Sequence, residues 1–205
     1  MTLVETVEKI VTEREVRVLG ICGPPGSGKT TLARAIAATR DNTLVLSMDD
    51  FYLGLEARGG AMRGPPWTYD IDALDAALRA LRAGAVPIEV PRFDAAIDDR
   101  VAGVVIDRAP DLVIVEGWYL GYRGDGFDRV ADDLDLLVFL DVDIETSKPR
   151  RFAREAELRA KGGGKSEAEM QRFWDEVLEP GIEHWTKLAR ARADVVLDGN
   201  GEIRG

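Results

Sequence analysis

The sequence predicts an α/β fold, a mostly parallel sheet with helices packed on both faces. Three observations carry that reading. Short apolar runs at 16–22, 43–47, 111–117, 134–140 and 195–197 are continuous rather than alternating, as strands buried on both sides require. Segments with helical spacing and recognisable caps lie between them, so strands and helices take turns along the chain. A glycine-rich octet directly after the first run supplies the turn from strand to helix that such a unit needs.

Each element follows in order. Thr2-x-x-Glu5 is a capping box that opens a short amphipathic helix with Leu3, Val7, Ile10 and Val11 on one side. The first buried strand, the octet at 23–30 and a good helix former at 31–38 come next. The second strand runs into Met48-Asp49-Asp50-Phe51-Tyr52, followed by a loop rich in Gly, Pro and Arg as far as Trp67. Asp70 or Asp72 caps a helix carrying Leu74, Ala77, Leu78 and Leu81, closed at Gly84. Residues 86–90 read as a strand and 101–106 as a short edge strand. The run at 111–117 is a buried strand ending on Glu116, and 134–140 is another. A basic helix from 145 to 161 leads into Gly162-Gly163-Gly164-Lys165, and a second capping box, Ser166-x-x-Glu169, starts a last long helix. Residues 195–197 form the closing strand. No internal repeat or linker divides the chain, so one domain over 1–205 is expected.

Composition bounds the partners. Net charge is −10, from 37 acidic and 27 basic residues, which makes nucleic acid or an anionic membrane a poor partner. Apolar runs fall well short of the ~18 residues a membrane-spanning helix needs. The N-terminal stretch carries acid where a signal peptide carries base. Cys22 is the single cysteine, which excludes an internal disulfide and suits a reducing cytoplasm; at the end of a strand it reads as packing.

The octet Gly23-Pro24-Pro25-Gly26-Ser27-Gly28-Lys29-Thr30 fills the pattern G-x-x-x-x-G-K-[ST]. Glycines at its fixed positions and at 26 let successive N–H groups turn inward on phosphate oxygens. Lys29 reaches the terminal phosphates, the Thr30 hydroxyl ligates Mg²⁺, and the helix continuing through Thr31 adds its positive end. Ligands of open parallel sheets bind beyond the carboxyl ends of the strands, where Asp49 with Asp50, Glu116, and Asp141 with Asp143 all fall. Phosphoryl transfer needs a metal bridge, cations on developing charge and a proton acceptor. Glu116 is the candidate for orienting Mg²⁺ and Asp49 the candidate base, while Asp143 also fits a helix cap. Lys148, Arg150, Arg151, Arg154, Arg159, Lys161 and Lys165 concentrate positive charge beside the glycine joint. They read either as a lid over about 148–170 that brings Arg151 and Arg154 to the transferred group, or as a solvated face paired with Glu155, Glu157, Glu167 and Glu169. His184 reads as structural; Trp67, Trp118, Trp174 and Trp185 read as core or pocket wall, with Trp118 the one placed beside an acceptor.

The P-loop G-P-P-G-S-G-K-T together with L-S-M-D-D-F-Y resembles the uridine kinase clan of P-loop kinases, which also holds phosphoribulokinase, pantothenate kinase and D-glycerate 3-kinase. The similarity runs from Val16 to Leu197 and implies a P-loop NTPase three-layer sandwich with a helical lid. It implies ATP and Mg²⁺ as cofactors, Asp49 as catalytic base and Tyr52 on the substrate side. F-L-D-V-D with R-R-F-A-R resembles the family's strand and lid, so Arg151, Arg154, Arg159 and Lys161 fall on its basic positions. The acceptor site departs from the uridine kinases: Gly64 stands where they bring an acid to the ribose, and Phe93 and Asp98 where they use tyrosine and histidine. E-G-W-Y-L-G-Y-R at 116–123 and K-G-G-G-K-S-E-A-E-M-Q-R-F at 161–173 are similar to the glycerate kinase branch, which would make Arg123 a partner for an acceptor carboxylate or phosphate. The expected function is an ATP-dependent kinase acting on a hydroxyl of a small metabolite. A D-glycerate 3-kinase-like enzyme acting on a small carboxylate is the near alternative, and an NTP-hydrolysing switch or chaperone the distant one. No N-K-x-D segment supports the switch, and the D-x-x-G at 198–201 follows the last strand.

Overall fold

The first apolar run forms strand β1 (Val18–Cys22), buried at every residue, in a computed structural model that describes residues 1–204. Along the chain follow β2 (Thr43–Ser47), β3 (Ile88–Asp94), β4 (Asp99–Ile106), β5 (Leu112–Glu116), β6 (Leu136–Asp141), β7 (Val195–Asp198) and β8 (Ile203–Arg204). The principal helices are α1 (Leu3–Glu13), α2 (Lys29–Thr39), α3 (Ile71–Arg82), α4 (Phe127–Asp132), α5 (Ile144–Ala160) and α6 (Glu167–Phe173). Six strands make one sheet in the order β2-β5-β1-β6-β7-β8. All its pairs are parallel except β7 with β8.

Alternation along β1 builds the layers. Leu19 and Ile21 point into a cluster with Val7, Val11, Leu32 and Ile36 from α1 and α2. Val18 and Cys22 point the other way, into a larger cluster with Leu74, Leu78, Phe127, Trp174 and Tyr119. The sheet is therefore covered on both faces, as its continuous apolar strands require. Both capping boxes form: the Glu5 N–H donates to Thr2 Oγ1 at 3.2 Å and the Glu169 N–H to Ser166 Oγ at 3.3 Å. Asp70, rather than Asp72, caps α3 by accepting from the Ala73 N–H at 3.0 Å.

Two elements depart from expectation. The segments read as strands at 86–90 and 101–106 do not join the main sheet; β3 and β4 pair with each other as a separate antiparallel hairpin. None of the β4 residues is buried, so this pair could not fill a place covered on both faces. Its register shifts between Val90 and Arg92, where Pro91 brings no N–H to the ladder. The last helix also changes character: α6 runs on through π-helical turns at Trp174–Leu178 and Ile182–Thr186 before Lys187–Arg190. Pro180, between the two, removes one donor from the i→i−4 pattern.

At the amino end of the sheet, the Asp135 carboxylate accepts from the Arg17 and Val18 N–H groups at 3.0 and 2.8 Å and pairs with Arg82 at 2.6 Å. The functional residues gather at the other end. Among the described residues no helix is long and apolar enough to cross a membrane.

Candidate active site

The octet leaves the carboxyl end of β1 and folds under backbone constraints that only glycine meets. Gly23, Gly26 and Gly28 have φ of +148°, +85° and +97°. A Cβ at Gly23 would lie 2.7 Å from the Leu140 carbonyl oxygen, and one at Gly26 would collide with the Ser147 carbonyl of α5. The loop is thus seated between β6 and α5. Gly28 precedes α2 without any side-chain cap, so the first-turn N–H groups have no side chain bonding them there. Ser27 Oγ is buried without a hydrogen-bond partner among the described residues, an orphaned donor aimed into the loop. Buried Lys29 donates through Nζ to the carbonyl oxygens of Gly23 and Pro24, each at 2.9 Å. Burial lowers its ammonium pKa, against the opposing pull of Glu116 and Asp49. Inward donors, a helix N-terminus and a positive side chain together make a cradle that fits a polyphosphate.

Glu116 ends β5 in register with Ile21 of β1 and Ser47 of β2, so its carboxylate lies beside the loop. Its Oε1 accepts from Thr30 Oγ1 at 2.9 Å and from Ser47 Oγ at 3.0 Å. Burial raises its pKa, and Lys29 pulls the other way. Ser47 escaped the sequence reading; its signal is a hydroxyl at the last position of the strand paired with β5. No group of three or more His, Cys, Asp or Glu side chains that could hold a metal occurs among the described residues. A hydroxyl and one carboxylate instead fit Mg²⁺, which typically takes one or two protein carboxylates and completes its shell with phosphates and water.

Asp49 lies in the single-turn helix Met48–Phe51 that follows β2. The close approach of this turn to β5 depends on Gly117, where a Cβ would come within 2.5 Å of Met48 Cβ. The two adjacent acids face different ways. Asp49 Oδ1 accepts from the Tyr69 hydroxyl at 3.2 Å, and its charge is felt by Lys29 and Glu116. Asp50 turns to the hairpin, pairing with Arg92 Nη1 at 2.5 Å and accepting from the Phe93 N–H at 3.3 Å. An aromatic wall continues from Asp49. Tyr69 and Tyr52 stack at 4.0 Å and hydrogen-bond through their hydroxyls, and Phe93 leans on Tyr52 at 5.3 Å. Burial, with the Asp49 charge adding to it, raises the pKa of Tyr52 well above the usual tyrosine range.

The sequence profile described as the phosphoribulokinase/uridine kinase family matches residues 18–200. The chain belongs to that family. It is 27% identical over 194 residues to a uridine kinase of Staphylococcus epidermidis, covering 91% of this chain and 89% of that one. Among solved structures it is similar to a kinase from Silicibacter sp. TM1040 named for a proposed role in a fructose transport system: TM-score 0.72, 27% identity, 96% and 98% of the two chains. It also shares its fold with D-glycerate 3-kinase from Cryptococcus neoformans var. grubii, with TM-score 0.76, 19% identity and 100% and 98% coverage. It is accordingly a small-molecule kinase, a phosphotransferase acting on a hydroxyl group.

Within this kinase the basic helix α5 separates its two expected arginines. Arg154 is exposed, has no carboxylate within 4.0 Å among the described residues, and its charge reaches Lys29. Arg151 is held by Glu155 at 2.6 Å, and Glu155 is buried at 2% exposure rather than solvated. Arg159 donates to the Lys165 carbonyl at 3.0 Å.

The two other residues expected beside an acceptor differ in their surroundings. Trp118 stacks on Tyr119 at 4.8 Å and donates from Nε1 to Thr186 Oγ1 at 3.3 Å, packed onto the C-terminal helical run. Tyr119, the next residue, takes the inner position: it meets Tyr69 at 5.9 Å, and its pKa is raised by burial and by the Asp49 charge. Arg123 pairs with Asp128 at 3.4 Å and lines a shallow cleft with Asp132, Asp135, Arg192 and Asp194. That is the amino end of the sheet, roughly 16 Å of strand away from the P-loop at ~3.3 Å per residue. Trp67 is 64% exposed and so lies outside the core, whereas Trp174 is fully buried. His184 is exposed and lies edge-on to Trp185 at 4.4 Å.

Proposed function

We propose that residues 1–205 form one kinase domain that uses ATP and Mg²⁺ to phosphorylate a hydroxyl of a small metabolite. The observation that supports this best is the convergence of Lys29, Glu116 and Asp49 beyond adjacent parallel strands, with Asp50 turned away. The backbone from Gly23 to Thr31 and the Lys29 ammonium would hold the β- and γ-phosphates. Thr30 and Glu116, steadied by Ser47, would hold Mg²⁺. When bound, Mg²⁺ would supply positive charge that offsets the charge developing on the transferred phosphoryl group.

Asp49 would accept the proton of the acceptor hydroxyl as its oxygen bonds to the γ-phosphorus and the bond to the β–γ bridging oxygen breaks. The Tyr69 hydroxyl orients that carboxylate. Arg154 would meet the transferred group, and Arg151, fixed by Glu155, would set the helix that carries it. Tyr52 and Phe93 would wall the acceptor. The acidic net charge of −10 suits a small-molecule partner over nucleic acid, and a lone buried thiol suits the cytoplasm.

ATP consumption screened across nucleosides, glycerate, pantothenate and sugars tests the reading. Turnover should wait for an acceptor, and Asp49→Asn should lower kcat by roughly 10²–10⁴-fold with little change in the KM for ATP. Acceptor-independent hydrolysis at the same rate would favour a nucleotide switch. Undiminished kcat in Asp49→Asn would remove the base assignment.

A further inference from the structure

Between the β3–β4 turn and α5, four cations meet three acids. Arg58 has its side chain fully buried and its donors engaged: Leu53, Ala61 and Asp98 carbonyl oxygens at 2.9, 3.0 and 2.6 Å, with Asp98 Oδ2 at 3.2 Å. Arg151 is matched by Glu155. Arg63 has only the other oxygen of the same Asp98 and a long contact to the Ala95 carbonyl at 3.5 Å. Lys165 has neither: its Nζ lies 4.9 Å over the Phe173 ring, with no carboxylate within 4.0 Å and no hydrogen bond among the described residues. Four positive groups against Asp98, Asp99 and Glu155 leave a local charge of 4 − 3 = +1, in a chain whose net charge is −10.

This excess adjoins the acceptor wall. The Arg63 guanidinium lies 5.4 Å from the centre of Phe93, which leans on Tyr52, itself bonded to the Tyr69 hydroxyl that reaches Asp49. Two contacts hold Lys165 there. Glu155 Oε1 accepts the Lys165 N–H at 2.6 Å, and Gly163 approaches the hairpin so closely that a Cβ would sit 3.3 Å from that of Ala96. Burial, then the charge of Arg63, lower the Lys165 ammonium pKa, outweighing the opposing pull of Glu155 and Asp98.

Resting on the kinase reading above, we infer that the acceptor is an anionic small molecule whose carboxylate or phosphoryl group is bound by Arg63 and Lys165 while its hydroxyl faces Asp49. A fork of guanidinium donors beside a mobile ammonium suits an oxyanion. A neutral acceptor would leave the half-buried charge uncompensated. The position where uridine kinases use histidine is Asp98, whose carboxylate here pairs with both Arg58 and Arg63.

Titration calorimetry on the full chain, saturated with a non-hydrolysable ATP analogue and Mg²⁺, tests this with matched pairs: D-glycerate against glycerol, and ribose 5-phosphate against ribose. At least one anionic member should bind roughly 10- to 100-fold more tightly than its neutral partner, the range a charge-assisted hydrogen bond supports. The glycerate arm reports a carboxylate and the ribose arm a phosphoryl group. Lys165→Gln and, separately, Arg63→Gln should abolish that preference while the affinity for the ATP analogue stays as it was. Equal affinities within both pairs, no binding of either anion at millimolar concentration, or a preference that survives both substitutions would overturn the inference. ATP-dependent phosphorylation of a neutral nucleoside or sugar, undiminished in Lys165→Gln, would overturn it too and leave the kinase reading standing.

Discussion

Glu155→Gln isolates the contribution of one buried charge to the lid. The carboxylate is 2% exposed and accepts from Arg151 Nη1 and from the Lys165 N–H, both at 2.6 Å. The amide keeps the shape and one acceptor, so the backbone bond survives and the arginine, 16% exposed, loses its counter-charge. Breaking a buried pair costs about 3–5 kcal/mol, and partial access of Arg151 to water puts the value near the lower end, about 3 kcal/mol. At 2–4 °C per kcal/mol for a chain of this size, Tm should fall by roughly 6–12 °C. The pH dependence has a definite sign. Burial alone would raise the Glu155 pKa, but the Lys165 N–H and the Arg151 guanidinium outweigh it and hold it below 4.5. A folded value below the unfolded one gives stability that is complete above pH 4.5 and is lost as pH falls through the folded value. Thermal melts by circular dichroism from pH 7 to pH 3 should therefore show a constant gap down to about pH 5 that narrows in acid. Equal Tm values at pH 7, or a gap that widens as pH falls, would refute the reasoning.

Three further outcomes follow from the geometry. Lys29→Met should abolish phosphoryl transfer in the ATP-consumption assay while the far-ultraviolet circular dichroism stays native, because the ammonium lies inside the loop and touches only its carbonyl oxygens. Gly26→Ala should weaken ATP binding by at least tenfold in equilibrium dialysis, since a φ of +85° costs an L-residue roughly 1–2 kcal/mol and the methyl meets the Ser147 carbonyl. Arg123→Ala should leave both acceptor KM and kcat unchanged in steady-state kinetics, as its exposed pair with Asp128 is worth at most about 1 kcal/mol and lies at the opposite end of the sheet.

What the sequence made legible was local. Strand, loop and helix from β1 to α2 are contiguous in the chain, and the glycines at 23, 26 and 28 report their own backbone angles. Asp49 and Glu116 were readable because each directly follows a buried strand, and parallel strands deliver their ends to one side. What spacing could not show was the direction of the chain after those ends. Arg123 is only seven residues past Glu116, yet the intervening turn carries it back to the amino end of the sheet. Tyr69 and Tyr52 meet across a loop of proline, glycine and arginine with no periodicity to pair them. Lys165 and Arg63 are 102 residues apart, and Glu155 resembles any other acid of a charged helix until the fold buries it. The π turns at 174–186 likewise have no hydrophobic signature of their own, although Pro180 marks where the regular ladder must break.

The separate hairpin has a consequence for how substrate choice evolves. It is fastened to the rest of the molecule by side chains, Val90 and Phe93 in the core and the pairs of Arg92 with Asp50 and Arg100 with Asp70, and shares no ladder with the six strands that carry the phosphate machinery. Selection can therefore lengthen its turn or recharge its exposed face without breaking the ladder of the main sheet. Recombining this segment between relatives, with both anchoring acids retained, is the most economical way to redirect the enzyme toward new acceptors.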